Sequence, residues 1–198
     1  MDPSLAELIA DAQPSTVDGQ WQRHVSLRFV SEGLSGRRHS GRWGTKNGFP
    51  ALYLGKPLDS VVVEAYRHLV DPVIDDDPSI LDHLAPRALI TCTVTVSEIL
   101  DLRRTGTRVQ LGLTMTELTS STKDEVAYAS CQQVAEVAHQ LGRHGLIAPA
   151  ATGLGDTLVL FTDNLNVSER PQRVAEDDIW TTLPADPRRK PRLRVVKE

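Results

Sequence analysis

Residues 88–96, Ala-Leu-Ile-Thr-Cys-Thr-Val-Thr-Val, constrain this chain more than any other segment. Thr91, Thr93 and Thr95 alternate with Ile90, Cys92, Val94 and Val96, a period of two rich in β-branched side chains that predicts a strand. A lone strand is not stable, so the rest of the chain must supply hydrogen-bonding neighbours and a cover for the sheet. Residues 24–30, 50–55, 146–148 and 157–161 read as further strands, the last two joined by the small-residue turn Ala150-Ala151-Thr152-Gly153-Leu154-Gly155. Helical spacing supplies the cover. Asp2-Pro3 signals a cap and first turn ahead of Leu5, Leu8 and Ile9. Pro57 opens a helix with Leu58, Val61, Val62, Ala65 and Leu69 on one face, and residues 126–142 align Val126, Ser130, Val134, Val137, Ala138 and Leu141. Strands and helices do not alternate as βαβ units. With 198 residues, the expected architecture is a single α+β domain.

The segment 31–49, rich in Gly, Ser and Arg, reads as a long ordered loop, and loops of this length inside compact domains usually carry function. Charge is segregated around it. The whole chain has a formal net charge of −4, which argues against a general nucleic-acid coat or a membrane-surface protein. Yet residues 19–56 hold seven Lys/Arg against Glu32 alone, and residues 187–198 hold six against Glu198. The internal basic block therefore calls for an anionic partner.

Several chemistries lack their motifs. Gly153-Leu154-Gly155 precedes a strand and has no third glycine, so a tight turn explains it better than a dinucleotide fingerprint. The six histidines form no HExxH, no serine sits in a GxSxG elbow, and three adjacent aspartates (75–77) cannot all face one ion. No metal is expected. Cys92 and Cys131 stand in unrelated contexts without a CxxC pair, so neither a disulfide framework nor a zinc site is expected. The first residues lack a basic region and a long apolar run, which makes the cytosol the default compartment and no membrane span expected.

What remains is the block from Arg28 to Glu64. Arg28 closes the strand 24–30, Gly41-Arg42-Trp43 lies in the loop, Tyr53 ends the next strand, and Glu64 follows on a helix. Guanidinium groups clamp phosphates, aromatic rings stack on flat bases, and a carboxylate can face a developing cation. These are the parts needed to hold a dinucleotide and break an N-glycosidic bond. The alternative is that Trp43 and Tyr53 are core aromatics and Glu64 a solvated helix residue.

Leu27-Arg28-Phe29, Ser40-Gly41-Arg42-Trp43, Phe49-Pro50-Ala51-Leu52-Tyr53-Leu54, Val63-Glu64, Tyr128-Ala129-Ser130-Cys131-Gln132 and Gly145 to Ala151 together resemble the RES-domain family. These are toxins of RES–Xre toxin–antitoxin pairs, and the resemblance covers roughly residues 24–162. It implies an ADP-ribosyltransferase-like fold, with split small β-sheets flanked by helices around an NAD⁺ cleft. It also implies consumption of NAD⁺ by glycohydrolysis or phosphorolysis, or ADP-ribosylation of a protein. Under it Arg28 would bind the NAD⁺ phosphates or ribose, Arg42 would add an anion contact, Trp43 would line the cofactor site, Tyr53 would stack near the nicotinamide, and Glu64 would be the catalytic carboxylate. The register sets Ala129 at the family serine and Ser130 one residue later, about 100° away round a helix; Ser130 is the candidate. The implied partners are an Xre-type antitoxin, NAD⁺ and inorganic phosphate, in a homodimer or toxin–antitoxin hetero-oligomer. The domain plan is a lead-in over 1–20, the NAD⁺-consuming domain over 21–183 and a basic Pro/Arg-rich tail over 184–198. A non-catalytic nucleotide-binding protein and a nucleic-acid binder acting through the tail are the competing readings.

Overall fold

A computed structural model describes residues 3–77, 79–120, 125–174 and 176–189. Its first half runs α1 (Leu5–Asp11), β1 (Ser15–Ser26), a 3₁₀ turn over Leu27–Glu32, β2 (Ala51–Lys56), α2 (Leu58–Leu69), α3 (Ile80–His83) and β3 (Arg87–Asp101). The second half runs α4 (Thr105–Gln110), α5 (Met115–Thr119), α6 (Glu125–Gln140), β4 (Gly145–Pro149), β5 (Asp156–Phe161), β6 (Gln172–Arg173) and β7 (Asp178–Trp180). None of these helices is long and apolar enough to cross a membrane.

The strands link into one seven-stranded sheet where two small ones were expected. β1 and β3 form a long antiparallel ribbon from Ser15↔Ile99 to Ser26↔Arg87. β2, β5 and β4 form a second antiparallel group. The two groups join twice, by three parallel rungs from Ile99↔Gly145 to Asp101↔Ile147 and by one antiparallel rung, Gln22↔Gly55. Strand pairing therefore runs in a closed circuit, β1–β2–β5–β4–β3 and back to β1.

Both faces of the β2–β5–β4 group are covered, which explains why these strands read as continuous apolar runs. Leu52, Leu54, Ile147, Leu158 and Leu160 point towards Trp21, Cys92, Val94 and Ile99 of the β1–β3 ribbon. The alternate residues Ala51, Leu146, Ala148, Val159 and Phe161 pack under α6 against Cys131, Val134, Ala135 and Ala138. Each fully buried large side chain contributes about 1.5–3 kcal/mol.

Some boundaries move. β1 ends at Ser26 because its partner β3 starts at Arg87, directly after Pro86, which has no N–H to extend the ladder. Residues 27–30 are therefore not strand; they turn in a 3₁₀ helix with Leu27 and Phe29 exposed. The cap of α1 is Ser4, which forms a capping box with Glu7, whereas Asp2 lies outside the described residues. On α6 the inward stripe includes Cys131 and Ala135, Leu141 lies exposed past the helix end, and the Val126 side chain is outside the described residues. Gly153 and Gly155 both have positive φ, and a Cβ at Gly155 would lie 2.1 Å from the Lys56 carbonyl, so the 150–155 turn needs its glycine.

β3 changes partners at a bulge. The register with β1 shifts between Ser15 and Val17, and Glu98 opposite that shift has φ 54°. Glu169 fixes the bend from beneath: its carboxylate accepts from Ser97 N at 2.9 Å and Ser97 Oγ at 2.8 Å, and from Asn166 N at 3.2 Å and Nδ2 at 2.9 Å. Burial alone would raise the Glu169 pKa, but these hydrogen bonds to the carboxylate outweigh it and hold it at about 2. The ionised form thus stabilises the fold fully above the ordinary value of 4.5, and this contribution is lost as pH falls from there towards about 2. Glu169→Gln should cost about 1–3 kcal/mol near neutrality, a melting-temperature loss of several degrees. In calorimetric scans the gap from the parent chain should shrink between pH 4.5 and 2; a gap independent of pH would contradict this role.

Candidate active site

A cleft of about 450 Å³ opens where β1 and β2 diverge on either side of their single rung. β1 contributes Gln22, Arg23 and His24, the 31–49 loop contributes His39 to Trp43, and β2 contributes Tyr53, Leu54 and Gly55. The opposite wall is α2. Its residues Ser60, Glu64, Arg67 and His68 follow helical spacing and all line the cleft. Glu64 is the one carboxylate among the lining residues. Its side chain is 39% exposed, with Oε1 3.3 Å from His68 Nδ1.

The arginines of this cleft are held by neutral acceptors. Arg42 is buried; Nη1 donates to the Glu117 carbonyl and to Ser120 Oγ at 3.0 Å, and Nη2 donates to the Ser120 carbonyl at 2.8 Å. Its guanidinium lies 4.5 Å from the Tyr128 ring centre. Arg67 donates to the carbonyls of Ala151 and, at 3.2 Å, of the same Ser120. Arg23 donates to the Gly33 carbonyl at 3.2 Å. Carbonyls fix the direction of a guanidinium without cancelling its charge, so three cations line the cleft with Glu64 and the cleft is electropositive.

His24 adds a donor instead of a charge. Arg87 Nε donates to its Nδ1 at 2.8 Å, and since arginine only donates, Nδ1 accepts and the ring proton sits on Nε2. The ring stacks on Trp180 at 6.3 Å. Burial first, then the charges of Arg87, His68 and Arg23, push its pKa down to about 3.

Tyr53 Oη accepts from the Trp43 backbone N–H at 3.2 Å, its ring meets His39 edge-on at 5.1 Å, and burial pushes its phenol pKa strongly up, so it stays neutral. Ser60 Oγ lies 2.8 Å from Thr152 Oγ1, which ties the first turn of α2 to the 150–155 turn.

Of the residues singled out from sequence, Glu64, Arg42, Trp43 and Tyr53 come together in the cleft, and two do not. Arg28 lies on the 3₁₀ turn and lines an adjoining hollow, because β1 has already ended at Ser26. Ser130 is not among the residues that line the cleft; it lies near Glu117, whose carboxyl it helps hold below the usual range. Ala129 is exposed. Trp43 lines the cleft but is 2% exposed and packs in the core, and Arg42 spends donors on α5. Arg23, His24, Ser60, Arg67 and His68 were missed. The last three were within reach, since they sit three or four residues from Glu64 on the same helix.

Residues 20–182 match the RES domain. This chain belongs to the RES-domain family. RES-domain relatives include the protein named NAD(+) phosphorylase MbcT in Mycobacterium tuberculosis and in Mycobacterium bovis, each 30% identical over 150 residues, which is 76% of this chain and 76% of the relative. The solved M. tuberculosis MbcT–MbcA toxin–antitoxin complex contains a similar chain, with TM-score 0.72, 25% identity, and coverage of 89% of this chain and 92% of that one. Within the RES domain, Gln132 of the Cys131-Gln132 motif has a clear job: its Nε2 donates to the carbonyls of Gly41 at 2.8 Å and Gly44 at 3.2 Å, fixing the loop that carries Arg42.

The locked tautomer of His24 is directly measurable. Long-range ¹H–¹⁵N spectra should show the His24 proton on Nε2 and no titration between pH 8 and 5, as a pKa of about 3 requires. A midpoint near 6.5 would contradict the geometry.

Proposed function

We propose that this chain cleaves the nicotinamide–ribose bond of NAD⁺ and passes the ADP-ribosyl group to inorganic phosphate, as a toxin neutralised by a cognate antitoxin. The observation that carries this reading is the gathering of a single carboxylate, Glu64, with Arg23, Arg42 and Arg67 in the lining of one cleft. The names of its relatives, an NAD(+) phosphorylase and a toxin–antitoxin complex, support the same activity and setting.

The chemistry suits such a site. Nicotinamide in NAD⁺ is already a pyridinium and departs as a neutral base, so no strong general acid is needed. The ribose becomes oxocarbenium-like, as in glycoside hydrolysis, and Glu64 opposes that positive charge or grips a ribose hydroxyl. A phosphate oxygen forms a bond to the ribose carbon as the C–N bond breaks, and the bonding pair leaves on the nicotinamide nitrogen. The products are nicotinamide and ADP-ribose 1″-phosphate. Fixed guanidinium groups orient the dinucleotide through its pyrophosphate, and such positioning lowers a barrier by several kcal/mol, up to about 7–11. Arg23 takes the cleft-facing share of this work, with Tyr53 and Tyr128 flanking the base. Ser130 acts through Glu117 as a positioning residue for the segment that holds Arg42.

The mixed helix-and-strand domain with a cleft between β1, β2 and α2 supports reading the fold as ADP-ribosyltransferase-like, with residues 21–183 as the catalytic unit. An Xre-type antitoxin that covers the cleft fits the setting, as do a cytoplasmic location and a toxin–antitoxin hetero-oligomer.

Incubation of the purified chain with NAD⁺ and phosphate, with products identified by mass, should yield nicotinamide and ADP-ribose 1″-phosphate. ADP-ribose alone would indicate hydrolysis, a mass gain on protein would indicate ADP-ribosyl transfer, and intact NAD⁺ would overturn the reading. Glu64→Gln should keep the fold, since the side chain is partly exposed, and lower kcat about 10²–10³-fold. An unchanged kcat would remove Glu64 from the mechanism.

A further inference from the structure

α2 presents two faces. Ser60, Glu64, Arg67 and His68 line the cleft, whereas Val61, Val62, Ala65 and Tyr66 pack in a cluster with Leu89 of β3 and Trp180 of β7. The strand register sets where that tryptophan stands. His24, Leu89 and Asp178 are direct partners across β1, β3 and β7, and Ser26, Arg87 and Trp180 make the next row on the same face. The rings of His24 and Trp180 stack there at 6.3 Å, with 16° between their planes. One side chain thus meets the β1 wall of the cleft at His24 and packs on the buried face of the α2 wall.

Both contacts are stiff. Trp180 is 6% exposed, and its Nε1 donates to Asp178 Oδ2 at 3.1 Å, which satisfies the indole N–H and fixes the plane of the ring. His24 is held from its other side by Arg87 Nε on Nδ1. Past Trp180 the chain stays with α2: Leu183 packs on the same cluster, and the Pro184 carbonyl accepts from Tyr66 Oη at 2.9 Å. A large flat ring locked between two walls acts as a spacer, and its thickness sets how far apart they stand.

We propose that Trp180 is a positioning residue, a wedge that sets the spacing between the β1 wall and α2 and, through it, the place of Glu64 in the cleft. The consequence for turnover rests on the NAD⁺-cleaving reading above, whereas the spacing itself does not. Glu64 opposes charge that develops in the transition state, so a displaced α2 lowers kcat more than it raises KM; a misplacement of about 1 Å costs up to about 10²-fold.

The test compares Trp180→Leu, which keeps an apolar side chain in the cluster, with Trp180→Phe, which keeps a flat ring. Asp178→Ala is the third variant; Asp178 is exposed, so the core stays intact and only the bond that orients the indole is lost. With rates expressed per folded molecule, Trp180→Leu should lower kcat for NAD⁺ cleavage about tenfold and change KM less than about twofold. Trp180→Phe should recover most of the loss, and Asp178→Ala should show a smaller loss of the same kind. Unchanged kcat in both Trp180→Leu and Asp178→Ala overturns the wedge. So does a loss that disappears once rates are counted per folded molecule. Side-chain ¹H–¹³C spectra without substrate read the spacing itself: in the same variants the ring signals of His24 on β1 and of His68 on α2 should both move. A His24 signal that moves while His68 stays in place would show that α2 holds its position without Trp180, and would overturn the proposal. If both signals move in a chain that leaves NAD⁺ intact, the wedge stands and the proposed reaction falls.

Discussion

β1 and β2 share one rung, Gln22 opposite Gly55, and the cleft exists because they share no other. On its other edge β1 pairs with β3 at eleven positions, and β2 pairs with β5 at six. The two ribbons share only that rung, and side chains of β1 and β2 line the gap beside it. The same constraint requires β3 to serve β1 over most of its length and β4 at its end. The bulge at Glu98, with Glu169 gripping Ser97, is where that change of partner is made.

The guanidinium groups around the cleft show two ways of using arginine. Arg42 and Arg67 converge on the Ser120 carbonyl and brace the wall between α2, α5 and the 150–155 turn. Their partners are neutral, so bracing leaves their field intact. Arg23 and Arg28 make fewer protein contacts and keep donors for a ligand. Position along the chain does not separate the two uses. What separates them is which carbonyls the tertiary fold brings within reach.

Much of this was legible in the sequence, and the failures have physical causes. β3, β4, β5 and α2 follow directly from periodicity, because each packs at least one face on the core. Glu64 was legible because it lies on a helix whose buried face is clear from Val61, Val62 and Ala65. Arg28 was misplaced because alternation from His24 to Val30 suggested a longer strand, and nothing local reveals that Pro86, far along the chain, ends its partner. Ser130 and Trp43 were assigned by motif, but which way each points is settled by α5 and the core. Arg23 and His24 were invisible as a pair, because their roles come from Gly33 and Arg87, which only the fold brings near.

The basic C-terminal segment, which charge counting leaves without a job, begins as a clamp on α2. Tyr66 Oη donates to the Pro184 carbonyl at 2.9 Å, and Arg188 reaches Asp71 at 2.6 and 3.0 Å while also bonding the buried Asp186. Burial of Asp186 opposes its ionisation, but the hydrogen bonds and charge of Arg188 prevail and hold its carboxyl below the usual range. α2 is therefore pinned at its first turn by Ser60 on Thr152 and at its last by Tyr66 on Pro184, with Arg188 holding Asp71 just beyond its end. A carboxylate proposed to face the reacting ribose needs both ends of its helix held, because a small rotation of the helix moves every side chain on that face together. Residues 188 and 189 are thus spoken for by Asp71 and Asp186, and the internal block around Arg23 and Arg28 is where the unpaired positive charge of the described chain gathers.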